Sequence, residues 1–173
     1  MILSESDEER QIYLDQLRAF QQEDITELFK VMHDLPVTIR LLDPPLHEFL
    51  PHEPAEIAAL AERMNKPVEQ VRNTIDNLGE ITPMLGFRGC RLSVVYPKIT
   101  EMQVRAILTA AAEAAQQGYR PLPEIMIPLV INVREIRLIN RIIDKIAHDL
   151  MKSRFISIPY KVGTMMETPR AAL

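Results

Sequence analysis

Apolar positions along the chain fall into short periodic blocks separated by proline. Ser6 with Glu9 three residues later forms a capping-box pattern, opening a helix to about residue 20 with Ile12, Leu17 and Phe20 inward. Ile25, Leu28, Phe29 and Met32 mark one face of a second helix. The period then changes. Residues 37–42 are short and β-branched at their start, and Pro36 and the Pro44-Pro45 pair flank them, which predicts a strand ending in a rigid loop. Ile57, Leu60, Ala61 and Met64 mark a further helix. Val68, Val71, Ile75 and Leu78 mark another after the break at Asn65-Lys66-Pro67. A second strand is predicted at 84–92. Thr100 with Gln103 then caps an alanine-rich helix ending near Gly118. A third strand is predicted at 124–130. Asn132 with Glu135 starts a long helix carrying Ile136, Ile139, Ile143, Ile146 and Leu150 on one face. A fourth strand follows at 160–166, and Thr168-Pro169 reads as the N-cap and first residue of a helix.

Strands alternating with helices imply parallel pairing through crossover helices. Four such units are half of an eight-unit barrel. The expected fold is therefore α/β, a partial TIM (β/α)8 barrel. It has a helical lead-in over 1–34 and four β/α units over 35–173, with the barrel truncated at both ends. No repeat of fixed period and no low-complexity linker interrupts it.

Composition narrows the function. The 173 residues carry 20 basic and 24 acidic side chains, a net charge of −4, so no global electrostatic case for nucleic-acid binding exists. No run of about 18 apolar residues occurs, which argues against a membrane span. The acidic first ten residues lack the order of a secretion signal. The single cysteine, Cys90, excludes an internal disulfide and fits a reducing, cytoplasmic setting. It could be reactive beside Arg91, or simply small and buried. His33, His47, His52 and His148 show no zinc-ligand spacing. Arg134, Arg137, Arg141 and Lys145 form a basic helical stripe. With Glu135, Asp144 and Asp149 interleaved, it reads as a solvated face.

Parallel sheets bind ligands at the carboxyl ends of their strands. Here those ends offer Arg40 and Asp43, then Arg88 and Arg91, the segment after Glu124, and Glu167. Arginine is a bidentate clamp for carboxylate or phosphate, and a nearby carboxylate suits magnesium. On the residues alone two readings stand: a small-anion site, or inter-strand ion pairs at a barrel rim.

The run Asp43-Pro44-Pro45-Leu46-His47-Glu48 within 35–51 resembles a signature of the pyruvate, phosphate dikinases. So does Gly86-Phe87-Arg88-Gly89-Cys90-Arg91 within 83–92. Two more similar runs follow in the family's order. They are Pro123-Glu124-Ile125-Met126-Ile127-Pro128-Leu129-Val130 and Lys161-Val162-Gly163-Thr164-Met165-Met166-Glu167-Thr168-Pro169-Arg170. The resemblance extends over the whole chain. Thr82 departs from it, standing where the family usually has asparagine before Pro83-Met84.

The resemblance implies a multidomain enzyme that interconverts ATP, phosphate and pyruvate with AMP, diphosphate and phosphoenolpyruvate through a phosphohistidine. This chain would be part of the barrel that binds pyruvate or phosphoenolpyruvate. Arg40 and Arg88 would contact substrate oxygens, and Glu167 would coordinate Mg2+ beside the substrate. No catalytic residue of the family is expected here. The phosphohistidine, the proton-donating cysteine, the nucleotide-grasp domain and an Asn-Asp pair supplying a second metal ligand have no counterpart in the 173 residues. The chain is thus expected to be a fragment, inactive alone. The alternatives are a non-catalytic small-anion-binding or interaction module that self-associates through open barrel edges, and an inert gene remnant.

Overall fold

The computed structural model describes residues 3–4, 6–45, 50–77 and 86–173. Helix α1 spans Asp7–Val31. Ser6 caps it by accepting a hydrogen bond from the Glu9 N–H at 3.0 Å, and Asp7, Glu8 and Glu9 sit against the positive end of the helix dipole. Instead of the two helices expected up to residue 32, the chain makes one. The polar stretch between them contains neither proline nor glycine, and it is used in packing: Gln22 donates to Glu113 at 2.8 Å. The inward residues also differ from expectation. Leu14 and Phe29 are fully buried, whereas Ile12, Leu17 and Phe20 are exposed.

Strand β1 spans Pro36–Arg40, followed by α2 (Pro54–Met64) and α3 (Val68–Asn77). Ile57, Ala61, Val71 and Ile75 bury against each other in a small cluster of their own. The strand expected at 84–92 is not one where it can be described. Residues 84–85 lie outside the described residues, and Gly89–Val95 is a short helix, α4. Gly89 has φ +55°, which turns the backbone out of the extended region and into that helix.

Helix α5 (Pro97–Gln116) begins at Pro97, three residues before the expected cap. Thr100 is therefore inside the helix, and both it and Gln103 are buried. Ala110, Ala111, Ala112 and Ala114 are completely buried, because small side chains let α5 pack closely within the main core. Strand β2 (Leu122–Ile127), helix α6 (Val133–Arg154) and strand β3 (Lys161–Thr164) follow. Helix α6 has the expected capping box. Asn132 accepts from the Arg134 N–H at 2.9 Å, and Glu135 accepts from the Asn132 N–H at 2.9 Å. Its buried stripe is Ile139, Ile143, Ile146 and Leu150. A single 3-10 turn, Pro169–Ala172, follows Thr168.

Among the described residues the sheet has three strands, not four, all parallel in the order β1-β2-β3. It is an open segment consistent with a partial barrel. Val37, Ile125 and Ile127 point into the core, joined by Phe29, Ile107, Leu108 and Ile143. The alternate positions form a polar row across the other face, where Thr38, Glu124 and Lys161 are register partners. The Thr38 hydroxyl donates to Glu124 at 2.7 Å and Lys161 Nζ donates at 3.1 Å. First the Thr38 hydrogen bond and then the lysine hold the Glu124 carboxyl below its ordinary pKa. No described helix is long and apolar enough to cross a membrane.

Candidate anion site at the carboxyl ends of the strands

The rim begins where β1 ends. Leu41 N–H donates to Met126 O at 2.9 Å, which adds one rung beyond the strand. Two backbone groups flanking Leu41 meet a side chain from α5. Leu42 N–H donates to Gln103 Oε1 at 2.6 Å, and Gln103 Nε2 donates to Arg40 O at 3.2 Å. The backbone so held delivers Asp43 into the interior, where its side chain is only 3% exposed.

Asp43 is the hub of the site. Arg88 Nε donates to its Oδ1 at 2.7 Å and Nη2 to its Oδ2 at 2.9 Å, a fork-to-fork pair. Nη2 also donates to the Asp43 carbonyl at 3.0 Å. Arg40 stands farther off, with Nη1 3.8 Å from Asp43 Oδ2 and its side chain 48% exposed. The two arginines therefore differ in kind. Arg88 is bound into the protein, while Arg40 presents its charge outward. Arg91, the third candidate, donates from Nε to Gly86 O at 2.7 Å and braces the turn before α4.

The other side of the rim is built on the exit from β2. Met165 N–H and Thr164 Oγ1 both donate to Ile127 O, at 3.0 and 2.9 Å. Cys90 N–H donates to Pro128 O at 3.2 Å, and the Thr168 hydroxyl donates to Val130 O at 2.7 Å. Between these anchors Leu129 adopts φ +53°, an uncommon conformation for a residue with a Cβ. Its N–H donates to Glu167 Oε1 at 2.8 Å, which orients the half-buried Glu167 carboxylate. Gly89 joins the two halves. A Cβ there would lie 3.0 Å from Asp43 Oδ1 and 3.1 Å from Leu129 Cβ. Arg40, Asp43 and Arg88 thus form one cluster, and Glu167 is linked to it through Leu129 and Gly89.

For two residues that shape the site the sequence patterns do not give the role. Gln103 fits a cap with Thr100, a pattern that says nothing of its contact with the end of β1. Leu129 lies in the 123–130 run, but its conformation is imposed by the anchors around it. Asp43 was visible as a rim carboxylate, but its partner was not.

The remaining candidates do not converge on this rim. His33 accepts the Arg120 N–H at 3.0 Å and braces a loop, whereas His47 lies outside the described residues, as does Thr82. Arg134, Arg137, Arg141 and Lys145 are exposed on α6. Cys90 is completely buried. Burial first, then the charge of Glu135, pushes its thiol up to about 12, against the opposing charge of Arg91. The folded chain therefore holds the thiol protonated at pH 9, where an ordinary thiol with pKa 9.0 is half ionised. Iodoacetamide at pH 9 is expected to leave the native chain unmodified by mass spectrometry and to alkylate it fully in guanidinium chloride. Rapid native labelling would mean an accessible thiolate.

Among the described residues no three His, Cys, Asp or Glu side chains converge as a metal cage. Glu167 is a hard oxygen donor oriented by a backbone N–H. One such carboxylate fits a hard divalent cation whose other ligands are substrate oxygens and water.

Residues 2–173 match the family described as PEP-utilising enzyme, PEP-binding domain. The chain is 47% identical over 175 aligned positions to a chloroplastic pyruvate, phosphate dikinase of Flaveria trinervia. It is 46% identical to the pyruvate, phosphate dikinase of Giardia intestinalis and 48% identical to that of Rhizobium meliloti (strain 1021). Each comparison covers 100% of this chain and 18%, 20% and 19% of the respective relative, so the chain spans about a fifth of their length. The chain belongs to the PEP-utilising enzymes and corresponds to their PEP-binding domain.

Proposed function

We propose that this chain supplies part of the phosphoenolpyruvate/pyruvate site of a pyruvate, phosphate dikinase, with residues 1–34 leading into the β/α units that follow. The observation that carries this reading is the rim itself. It has an outward-facing arginine, a second arginine locked in place by a buried aspartate, and an oriented carboxylate at the carboxyl end of a parallel sheet. In the intact enzyme the site would serve exchange of ATP, phosphate and pyruvate for AMP, diphosphate and phosphoenolpyruvate through a phosphohistidine borne elsewhere. These 173 residues by themselves would show no dikinase turnover.

The division of labour follows from the contacts. Arg40, with an exposed guanidinium, is the group suited to meet the phosphoryl or carboxylate oxygens of an incoming anion. Arg88 adds positive potential from a fixed position, since Asp43 holds its planar fork at three hydrogen bonds. Glu167 would hold a divalent cation, which we take to be Mg2+. When bound, that ion would supply positive charge to stabilise the enolate form of pyruvate. Leu129 N–H keeps the Glu167 carboxylate in one orientation, so less reorganisation is needed when the ligand arrives. The lone buried cysteine supports a reducing, cytosolic setting.

Calorimetric titration of the chain with phosphoenolpyruvate and MgCl2 tests this. Saturable binding is expected, and Arg40→Ala should weaken it by about tenfold or more while leaving the melting temperature unchanged. Absence of binding by a folded wild-type chain would overturn the reading.

A second reading is favoured by the sheet, whose polar row leaves Lys161 81% exposed and whose outer strands β1 and β3 each pair on one side only among the described residues. Such a sheet favours self-association through its edges. Sedimentation as a monomer at all concentrations would exclude it.

A further inference from the structure

Helix α5 is buried over most of its length, and its interior positions are almost all apolar. Gln103 is an exception, 5% exposed and far from any solvent role. Its amide bridges two backbone groups on either side of Leu41, Arg40 O and Leu42 N–H. The orientation of that amide is fixed by its partners. Leu42 N–H can only donate and Arg40 C=O can only accept, so the oxygen must face the first and the nitrogen the second.

This contact answers a specific need. Leu41 N–H makes the last rung toward β2, while Arg40 C=O and Leu42 N–H point to the opposite edge of β1, which no strand borders among the described residues. Buried backbone groups without partners are costly. A primary amide offers a donor and an acceptor in one plane, as a neighbouring strand would. An ionised carboxylate offers only acceptors, and an ammonium only donors. Gln103 thus behaves as a fragment of an adjacent strand, supplied from the helix layer.

What it holds is the start of the anion site. Arg40 is one end of the bridged segment, and Asp43 follows immediately after the other. Asp43 in turn fixes Arg88. We infer that Gln103 is a positioning residue for the anion site, setting the placement of Arg40 and of the Asp43–Arg88 pair from beneath the rim without touching the ligand. This inference rests on the phosphoenolpyruvate reading of the rim.

The test compares three chains: wild type, Gln103→Leu, and Thr109→Val. Thr109 is another buried polar residue on the same helix, and it lies outside the rim contacts. Two quantities are measured beside the melting temperature. They are Leu42 amide exchange by NMR and the affinity for phosphoenolpyruvate with MgCl2 by calorimetry. Gln103→Leu is expected to speed Leu42 exchange by about tenfold and to weaken the ligand by about tenfold. Thr109→Val should change neither, even where it lowers the melting temperature. If Gln103→Leu does not fold, Gln103→Glu replaces it. That variant keeps an acceptor for Leu42 N–H but, when ionised, loses the donor to Arg40 C=O, and should weaken the ligand while leaving Leu42 protected. Unchanged Leu42 exchange in Gln103→Leu, or equal loss of affinity in Gln103→Leu and Thr109→Val, would overturn the inference. If the wild-type chain itself does not bind, the reading of the rim has failed, and Leu42 exchange alone then decides whether Gln103 holds this segment.

Discussion

Asp43→Ala is expected to destabilise the chain by roughly 3–5 kcal/mol, the range for breaking a buried ion pair from one side. The reason is the partner left behind. Arg88 has 13% of its side chain exposed and directs Nε and Nη2 at the Asp43 carboxylate, with Nη2 also reaching the Asp43 carbonyl. Removing the carboxylate takes away two of the guanidinium's hydrogen bonds and its buried counter-charge. Urea denaturation of wild type and variant measures the loss. The double variant Asp43→Leu/Arg88→Met should recover most of it, because an apolar pair of similar volume avoids both the charge and its desolvation. A loss below about 1 kcal/mol for Asp43→Ala would put the pair in the class of solvent-screened surface bridges and would contradict its burial. On the proposed reading of the rim, the same variant should also abolish phosphoenolpyruvate binding, since Arg88 loses its fixed position.

Gly89→Ala is the second large effect, expected at roughly 2–5 kcal/mol. Two terms contribute. A Cβ at φ +55° adds strain of about 1–2 kcal/mol. Its collision with Asp43 Oδ1 at 3.0 Å and Leu129 Cβ and Cδ1 at 3.1 Å adds overpacking of about 1–3 kcal/mol. Leu129 cannot retreat easily, because its own φ is +53° and its N–H is committed to Glu167. The added methyl therefore presses on both halves of the site at once. Gly118→Ala separates the terms. Gly118 has φ +90° with nothing within 4 Å of its Cβ position, so it reports backbone strain alone. Thermal unfolding should show a clearly larger loss for Gly89→Ala. A loss at Gly89 of no more than about 1–2 kcal/mol, the cost of the left-handed backbone alone, would mean that contact with Asp43 and Leu129 contributes nothing.

Structure that is specified by neighbours along the chain is legible in the sequence. The Asn132–Glu135 capping box, the stripe at Ile139, Ile143, Ile146 and Leu150, and the strands β1, β2 and β3 all follow from hydrogen bonds or periodicities a few residues long. The family is equally legible, through signatures that contain Arg40, Arg88 and Glu167, whose roles belong to the proposed function. The errors share one cause. Residues 84–92 read as a strand interrupted by Gly86 and Gly89, yet the positive φ of Gly89 starts a helix there. The break between the first two predicted helices looked real because its residues are polar. In the fold, one of them, Gln22, reaches across to Glu113. Thr100 and Gln103 matched a cap, but Pro97 starts the helix and Gln103 serves β1 instead.

Short-range signals along the chain are thus enough for the α/β class and the local elements with their own caps. The tertiary structure alone decided how the rim residues are paired. Asp43 and Arg88 are 45 residues apart, and nothing local to either states that the aspartate will be buried or that it will lock one arginine and leave the other outward. Leu129 takes its conformation, and Glu167 its orientation, from chain segments that meet only after the strands have aligned. Local signals act through short-range backbone bonding. The choice of a partner for a buried charge is made by desolvation, which exists only once distant parts of the chain have packed.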